Sequence, residues 1–136
     1  TLAAAGIMES ARAAHTATTL PDGRVLLAGG MARGEGTAAG AEVFDAASGT
    51  FLPTGAMRTP RHSHTATLLP DGKVLLAGGY SAQGEYLRSA ELYDPGTGSF
   101  ELISAMGSGR ADHLAVLLQD SRVLIIGGVG SGWTIL

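Results

Sequence analysis

The chain writes one pattern three times, and a repeat restricts the possible folds more than any composition could. His15–Gly30, His64–Gly79 and His113–Gly128 begin 49 residues apart. Sliding Thr1–Gly49 onto Thr50–Gly98 gives 22 identities in 49 positions, and sliding Thr50–Gly79 onto Ser99–Gly128 gives 13 in 30. A fixed period near 50 marks a propeller or an array. Each copy reads as a strand pair. An apolar run leads into a turn that is Pro-Asp-Gly in the first two copies and worn in the third; there proline fixes φ, aspartate bonds the nearby backbone and glycine tolerates positive φ. A second apolar run, Val74–Ala77 in the middle copy, then stops at two glycines. A hairpin with a three-residue turn is the expected unit.

Two further apolar runs complete the period. Ala41–Phe44 matches Ala90–Tyr93, and Phe51-Leu52 matches Phe100–Ile103, with turn-forming segments Asp45–Gly49 and Asp94–Gly98 between the members of each unit. Four short strands without helical periodicity describe a four-stranded blade. The expected divisions are an outer strand of a preceding blade at 1–8, a blade at 9–57, a second at 58–106 and the start of a third at 107–136. A closed ring of six such blades needs roughly 300 residues, so the expectation is a partial ring. Its sheet edges would be completed by further blades of a longer chain or by self-association.

The glycine pairs, the Glu-X-Tyr/Phe-Asp third strand, the aromatic opening the fourth strand, and the Met and Arg that follow resemble the kelch repeat. Arg-X-X-His-Thr-Ala-Thr-X-Leu-Pro-Asp-Gly-Arg/Lys-Val-Leu is similar to bacterial kelch and galactose-oxidase-like central domains. Phe51 and Phe100 stand where that family usually has Trp. The resemblance implies an all-β fold: a kelch-type β-propeller segment of four-stranded antiparallel blades, short of a closed ring. It also implies a secreted, periplasmic or cell-surface setting. The function it implies is a binding or scaffolding module for protein, peptide or glycan ligands. A reading from another class is a fragment of a copper-radical oxidase or other carbohydrate-active propeller enzyme. In that group the metal is held by Tyr and His, one Tyr being crosslinked to Cys. This chain has no Cys, and its tyrosines, Tyr80, Tyr86 and Tyr93, fall within one unit.

Charge and composition narrow the partners. The net charge is −3 with no basic cluster, which argues against nucleic acid. No run approaches the about 20 apolar residues of a membrane-spanning helix. With no cysteine, disulfides and thiol chemistry are excluded. No cofactor is expected.

The repeats can be read against one another. A residue at the same register in every unit serves the blade. One that varies in a loop is free to serve a ligand. Arg12, Arg61 and Arg110, His15, His64 and His113, and Glu42 with Glu91 share registers. These types could be an acid and a base, but their repetition reads as a hydrogen-bonded or ion-paired brace tying each blade's lead-in loop to its third strand. Asp22, Asp71 and Asp120 read as turn residues and not calcium ligands. Gly29-Gly30, Gly78-Gly79 and Gly127-Gly128 read as sites of close strand approach, since no helix or Lys-Ser/Thr follows them.

Two features break the repeat. His62-Ser63-His64 would put two imidazoles on one face if extended, but no third metal ligand is in view. Met31–Gly40 and Tyr80–Ser89 have equal length and no identical position. Variable loops on a repeated scaffold are where recognition resides. The candidate ligand-binding residues are Arg33, Glu35, His62, Tyr80, Gln83, Glu85, Tyr86, Arg88, Asp112 and Trp133; none is read as catalytic or metal-binding. In an antiparallel blade these loops and the interblade crossings fall at one end, opposite the Pro-Asp-Gly turns.

Overall fold

The computed structural model describes residues 5–34 and 36–136. Among the described residues the fold is all-β apart from a single 3₁₀ turn at Ser131–Trp133. In chain order the first unit contains β1 (Arg12–Ala13), β2 (Thr16–Thr19), β3 (Val25–Ala28), β4 (Met31–Ala32), β5 (Gly36–Thr37), β6 (Ala41–Asp45) and β7 (Thr50–Pro53). The second contains β8 (Thr65–Leu68), β9 (Val74–Ala77), β10 (Ala90–Asp94) and β11 (Ser99–Ile103). The third contains β12 (Leu114–Leu117), β13 (Val123–Ile126), β14 (Val129–Gly130) and β15 (Thr134–Ile135).

The strands assemble as successive antiparallel blades of a propeller. The sheets β2-β3-β6-β7 and β8-β9-β10-β11 each take their strands in chain order, and β12-β13 repeats the inner hairpin. Registers match across units: Thr16 pairs with Ala28, Thr65 with Ala77 and Leu114 with Ile126. Of the expected outer strand at 1–8, Thr1–Ala4 lie outside the described residues, and Ala5–Met8 form no strand.

The inner turns follow from their sequence. The amide of Gly23 donates to Leu20 O at 2.9 Å and that of Leu20 to Arg24 O at 2.7 Å, with Gly23 at φ +86°. This is a three-residue turn closed by a residue in the left-handed region. The same bonds recur around Gly72. In the third unit the position is Ser121, held at φ +68°, where an L side chain is strained.

The core lies between blades as well as within them. Leu26, Ala28, Ala41, Val43 and Met57 of the first blade form one buried cluster with Val74, Leu76, Tyr93 and Phe100 of the next. Strands β2 and β8 face each other across this boundary, as do β8 and β12 across the next. The double glycines make the approach possible. A Cβ on Gly29 would meet Arg61 O, and His64 Cε1 at 2.9 Å; one on Gly30 would meet His15 Cβ at 2.9 Å.

Relief of the strained turn gives a direct check. Ser121→Gly raises stability by about 0.5–1 kcal/mol, and Gly72→Ser lowers it by about 1 kcal/mol. Urea unfolding followed by circular dichroism measures both; a loss on Ser121→Gly would contradict the turn assignment.

Candidate functional site: the loop face and its brace

The site begins with a buried carboxylate. Glu91 sits on β10, wholly enclosed, and its Oε1 accepts from Arg61 Nη2 at 2.8 Å. The same carboxylate accepts the backbone amides of Arg58 at 2.7 Å and Thr59 at 3.0 Å. Arg61 in turn donates Nη1 to Gly78 O and Ser89 O. Burial pulls the Arg61 guanidinium below its ordinary pKa, and the bond and charge of Glu91 oppose that pull. The first unit repeats the design: Glu42 takes Arg12 at 2.7 Å and the amides of Glu9 and Ser10. In the third, Arg110 reaches Gly127 O and Ser108 Oγ. The crossings into the first two units are therefore held by a side-chain carboxylate, with backbone bonds such as Met57 N to Ala39 O beside it, and not by a ladder of strands.

The repeated histidines do something else. His64 Nε2 shares a 3.0 Å hydrogen bond with Thr16 Oγ1 of the preceding blade, and His113 Nε2 does the same with Thr65 Oγ1. They fasten blade to blade, while the glutamates fasten the lead-in loop to the third strand. Desolvation, with the nearby Arg61 charge and the charges of the other histidines adding to it, pushes His64 down to about 3. Burial, with Arg110 beside it, also lowers His113, against a small opposing pull from Asp112.

The expectation for an extended His62-Ser63-His64 is corrected. Ser63 has φ +53°, and its amide donates to Ala14 O at 3.0 Å. The kink sends the imidazoles to different partners: His64 to the interblade boundary, His62 onto Tyr80 with ring centroids 5.2 Å apart. Ala14 and Asp112 occupy the equivalent positions with φ +54° and +52°, and the Asp112 amide donates to Ser63 O at 3.1 Å. These bonds align the lead-in loops of three successive units. Among the described residues no group of three His, Cys, Asp or Glu is placed to hold a metal ion.

The variable segments lie against these loops. In the first unit β1 pairs with β4 and β4 with β5, so Ala13 faces Met31 and Met31 faces Thr37. The second unit has the same bridges, His62 to Tyr80 and Tyr80 to Tyr86; the third pairs Ala111 with Val129 and Val129 with Ile135. Sequence reading missed these pairings, a three-stranded sheet in the first unit and bridges at the same positions in the others, because runs of one or two residues carry no periodicity. The equal loop length was the available signal.

The candidate residues divide accordingly. His62, Tyr80 and Tyr86 come together, the two tyrosine centroids 4.8 Å apart. Hydrogen bonding to the Tyr86 side chain, then desolvation, then the charges of Tyr86 and Asp112, push the Tyr80 phenol up to about 12. Gln83 and Glu85 are exposed beyond them, on a loop whose amides at these two residues donate to Ser81 Oγ. Arg88 turns away to Met106 O at 3.1 Å. Arg33 lines a cleft of about 350 Å³ with Arg12 and Met31 in the first unit. Trp133 is 79% exposed in the third. Glu35 lies outside the described residues.

The opposite face also carries a cleft, about 440 Å³, lined by Asp22, Arg24, Asp71, Lys73 and Asp94 among others. Arg24 pairs with Asp22 at 2.7 Å, and Lys73 lies 3.9 Å from Asp94. Its lining residues recur as turn residues, so the cleft follows from the scaffold. The loop face holds the residues that differ between units.

Comparison with known families agrees with the architecture. Residues 61–107 match the family model for the kelch motif. No curated protein matches the chain.

The buried histidines make stability pH-dependent. A folded-state pKa near 3 against 6.5 unfolded means that the unfolded chain binds the proton first. The His64 contribution is therefore complete above pH 6.5 and declines as pH falls toward 3, by up to about 1.4 kcal/mol per pH unit. Urea titrations between pH 7.5 and 4.5 should show this decline, and a shallower one in His64→Gln. Equal slopes in the two proteins would remove His64 as the cause.

Proposed function

We propose that this kelch-motif chain, a segment of β-propeller, is a binding module that takes a protein or peptide partner on the face formed by its variable loops. The observation that carries this reading is the contrast between scaffold and loop. Arg61, Glu91 and His64 are buried and engaged in structural bonds that recur from unit to unit. The segments Met31–Gly40 and Tyr80–Ser89 share a length and a backbone pairing but no residue. Loops held this firmly present side chains with little ordering cost on binding, which favours affinity. The acidic and hydroxyl-rich turns of the other face have no comparable variation.

Exchange of one loop for another tests the reading. Replacing Tyr80–Arg88 with the residues of Met31–Ala39 keeps the length and the pairing pattern. Peptides selected from a displayed library on the unaltered chain should lose at least about tenfold in affinity for the exchanged chain, about 1.4 kcal/mol. The melting temperature should stay close to the original. Selected peptides that bind both proteins equally would place recognition elsewhere.

A further inference from the structure

Resting on that reading of the loop face, we propose that the His62–Tyr80–Tyr86 rings and Asp112 form a subsite for a cationic side chain, guanidinium or ammonium, of the partner. The repeat itself isolates these residues. The positions of His62, Tyr80 and Tyr86 are Ala13, Met31 and Thr37 in the first unit and Ala111, Val129 and Ile135 in the third, with the same backbone pairing in all three. The fold therefore forms without any ring at these places. In the second unit alone three rings stand in a row, 5.2 Å and 4.8 Å between successive centroids, half-buried and reachable. Ring faces carry negative electrostatic potential and attract cations, the more so where water is partly excluded.

Asp112 supplies the second, independent element. Its counterparts are Ala14 and Ser63, so the turn needs no carboxylate. Its side chain is exposed, its amide bonds Ser63 O at 3.1 Å, next in the chain to His62, and it has no ion-pair partner among the described residues. Three of the basic groups nearby in the chain are engaged elsewhere, while Arg58 is exposed and makes no side-chain bond among the described residues. Arg61 is bound by Glu91, Gly78 and Ser89, Arg110 by Gly127 and Ser108, and Arg88 by Met106. The Tyr80 phenol is neutral through the physiological range, so the platform keeps its π faces while Asp112 carries the charge. Glu85, exposed at the tip of the same loop, and the net charge of −3 steer a cation in the same direction. A neutral sugar could also stack on these rings, but it would gain nothing from a negative charge at Asp112.

The experiment titrates the whole chain with acetyl-Gly-Arg-Gly-amide, its Gln counterpart and methyl β-galactopyranoside, following the ring proton resonances of Tyr80 and Tyr86. The arginine peptide should shift both rings saturably, weaken as salt is raised from 20 to 300 mM, and lose about fivefold in affinity on Asp112→Asn. Asparagine is at ease at positive φ, so this variant keeps the turn. Tyr80→Met and Tyr86→Thr, copied from the first unit and followed through the ring protons of His62, should abolish the response to the arginine peptide without loss of the fold. Equal binding of the Gln peptide, a sugar response that Asp112→Asn leaves unchanged, or no ring shift with the arginine peptide would overturn the proposal. A chain whose selected partners depend on the Tyr80–Arg88 loop while the arginine peptide leaves the rings unmoved would refute the cationic subsite alone. Arginine binding combined with loop-independent partners would refute the broader reading alone.

Discussion

The loop face of the two complete blades depends on one buried carboxylate in each, accepting bonds from a segment that is not a strand. Backbone that leaves a sheet to cross to the next blade loses its ladder partners, and buried amides without partners are costly. Glu91 and Glu42 answer this by receiving two crossing amides and one guanidinium each. Taking both charges of such a pair out of water is expensive, and the extra amide bonds help to offset it. The result is a lead-in loop as constrained as a strand, against which the variable hairpins can pair.

The boundary between blades obeys a second constraint, the closeness that glycine permits. Gly29 and Gly78 lie under the carbonyls of Arg61 and Arg110, and the imidazoles of His64 and His113 lie over them. Gly30 and Gly79 donate their amides to those same carbonyls at 2.9 and 2.8 Å. Positive φ at the glycines, the missing Cβ and the adjoining His–Thr bond are one arrangement, so arginine, histidine and the double glycine recur together in the sequence. The faces so joined are apolar, aliphatic side chains with Tyr93 and Phe100 among them. On the third unit the equivalent face, including Leu114, Val116, Leu124 and Ile126, is exposed.

Much of this was legible in advance. Pro-Asp-Gly named its turn because each residue has a distinct backbone preference, and the 49-residue spacing located strands, glycines and the buried Arg and Glu. The repeat could not say which polar groups meet. Histidine and glutamate occupy equally regular registers, yet one spans the blade boundary and the other holds the crossing within a blade. That choice depends on how neighbouring blades rotate against each other. The kink at Ser63 was hidden for a related reason: its positive φ is imposed by a bond to Ala14 in the previous unit, and serine carries no local sign of it. The ring row was visible only as three separate aromatic residues until isolated bridges between them aligned the rings.

The central claim is that side-chain acceptors make the crossing segment as rigid as the sheets. Native-state hydrogen exchange at the amides of Arg58 and Thr59 tests it most directly, with the strand amides of β9 and β10 as internal reference. Protection comparable to those strands, falling by several orders of magnitude at these two amides in Glu91→Gln while β9 stays protected, is the result this account predicts. Exchange of Arg58 and Thr59 at the rate of an open loop in the unaltered chain would contradict it.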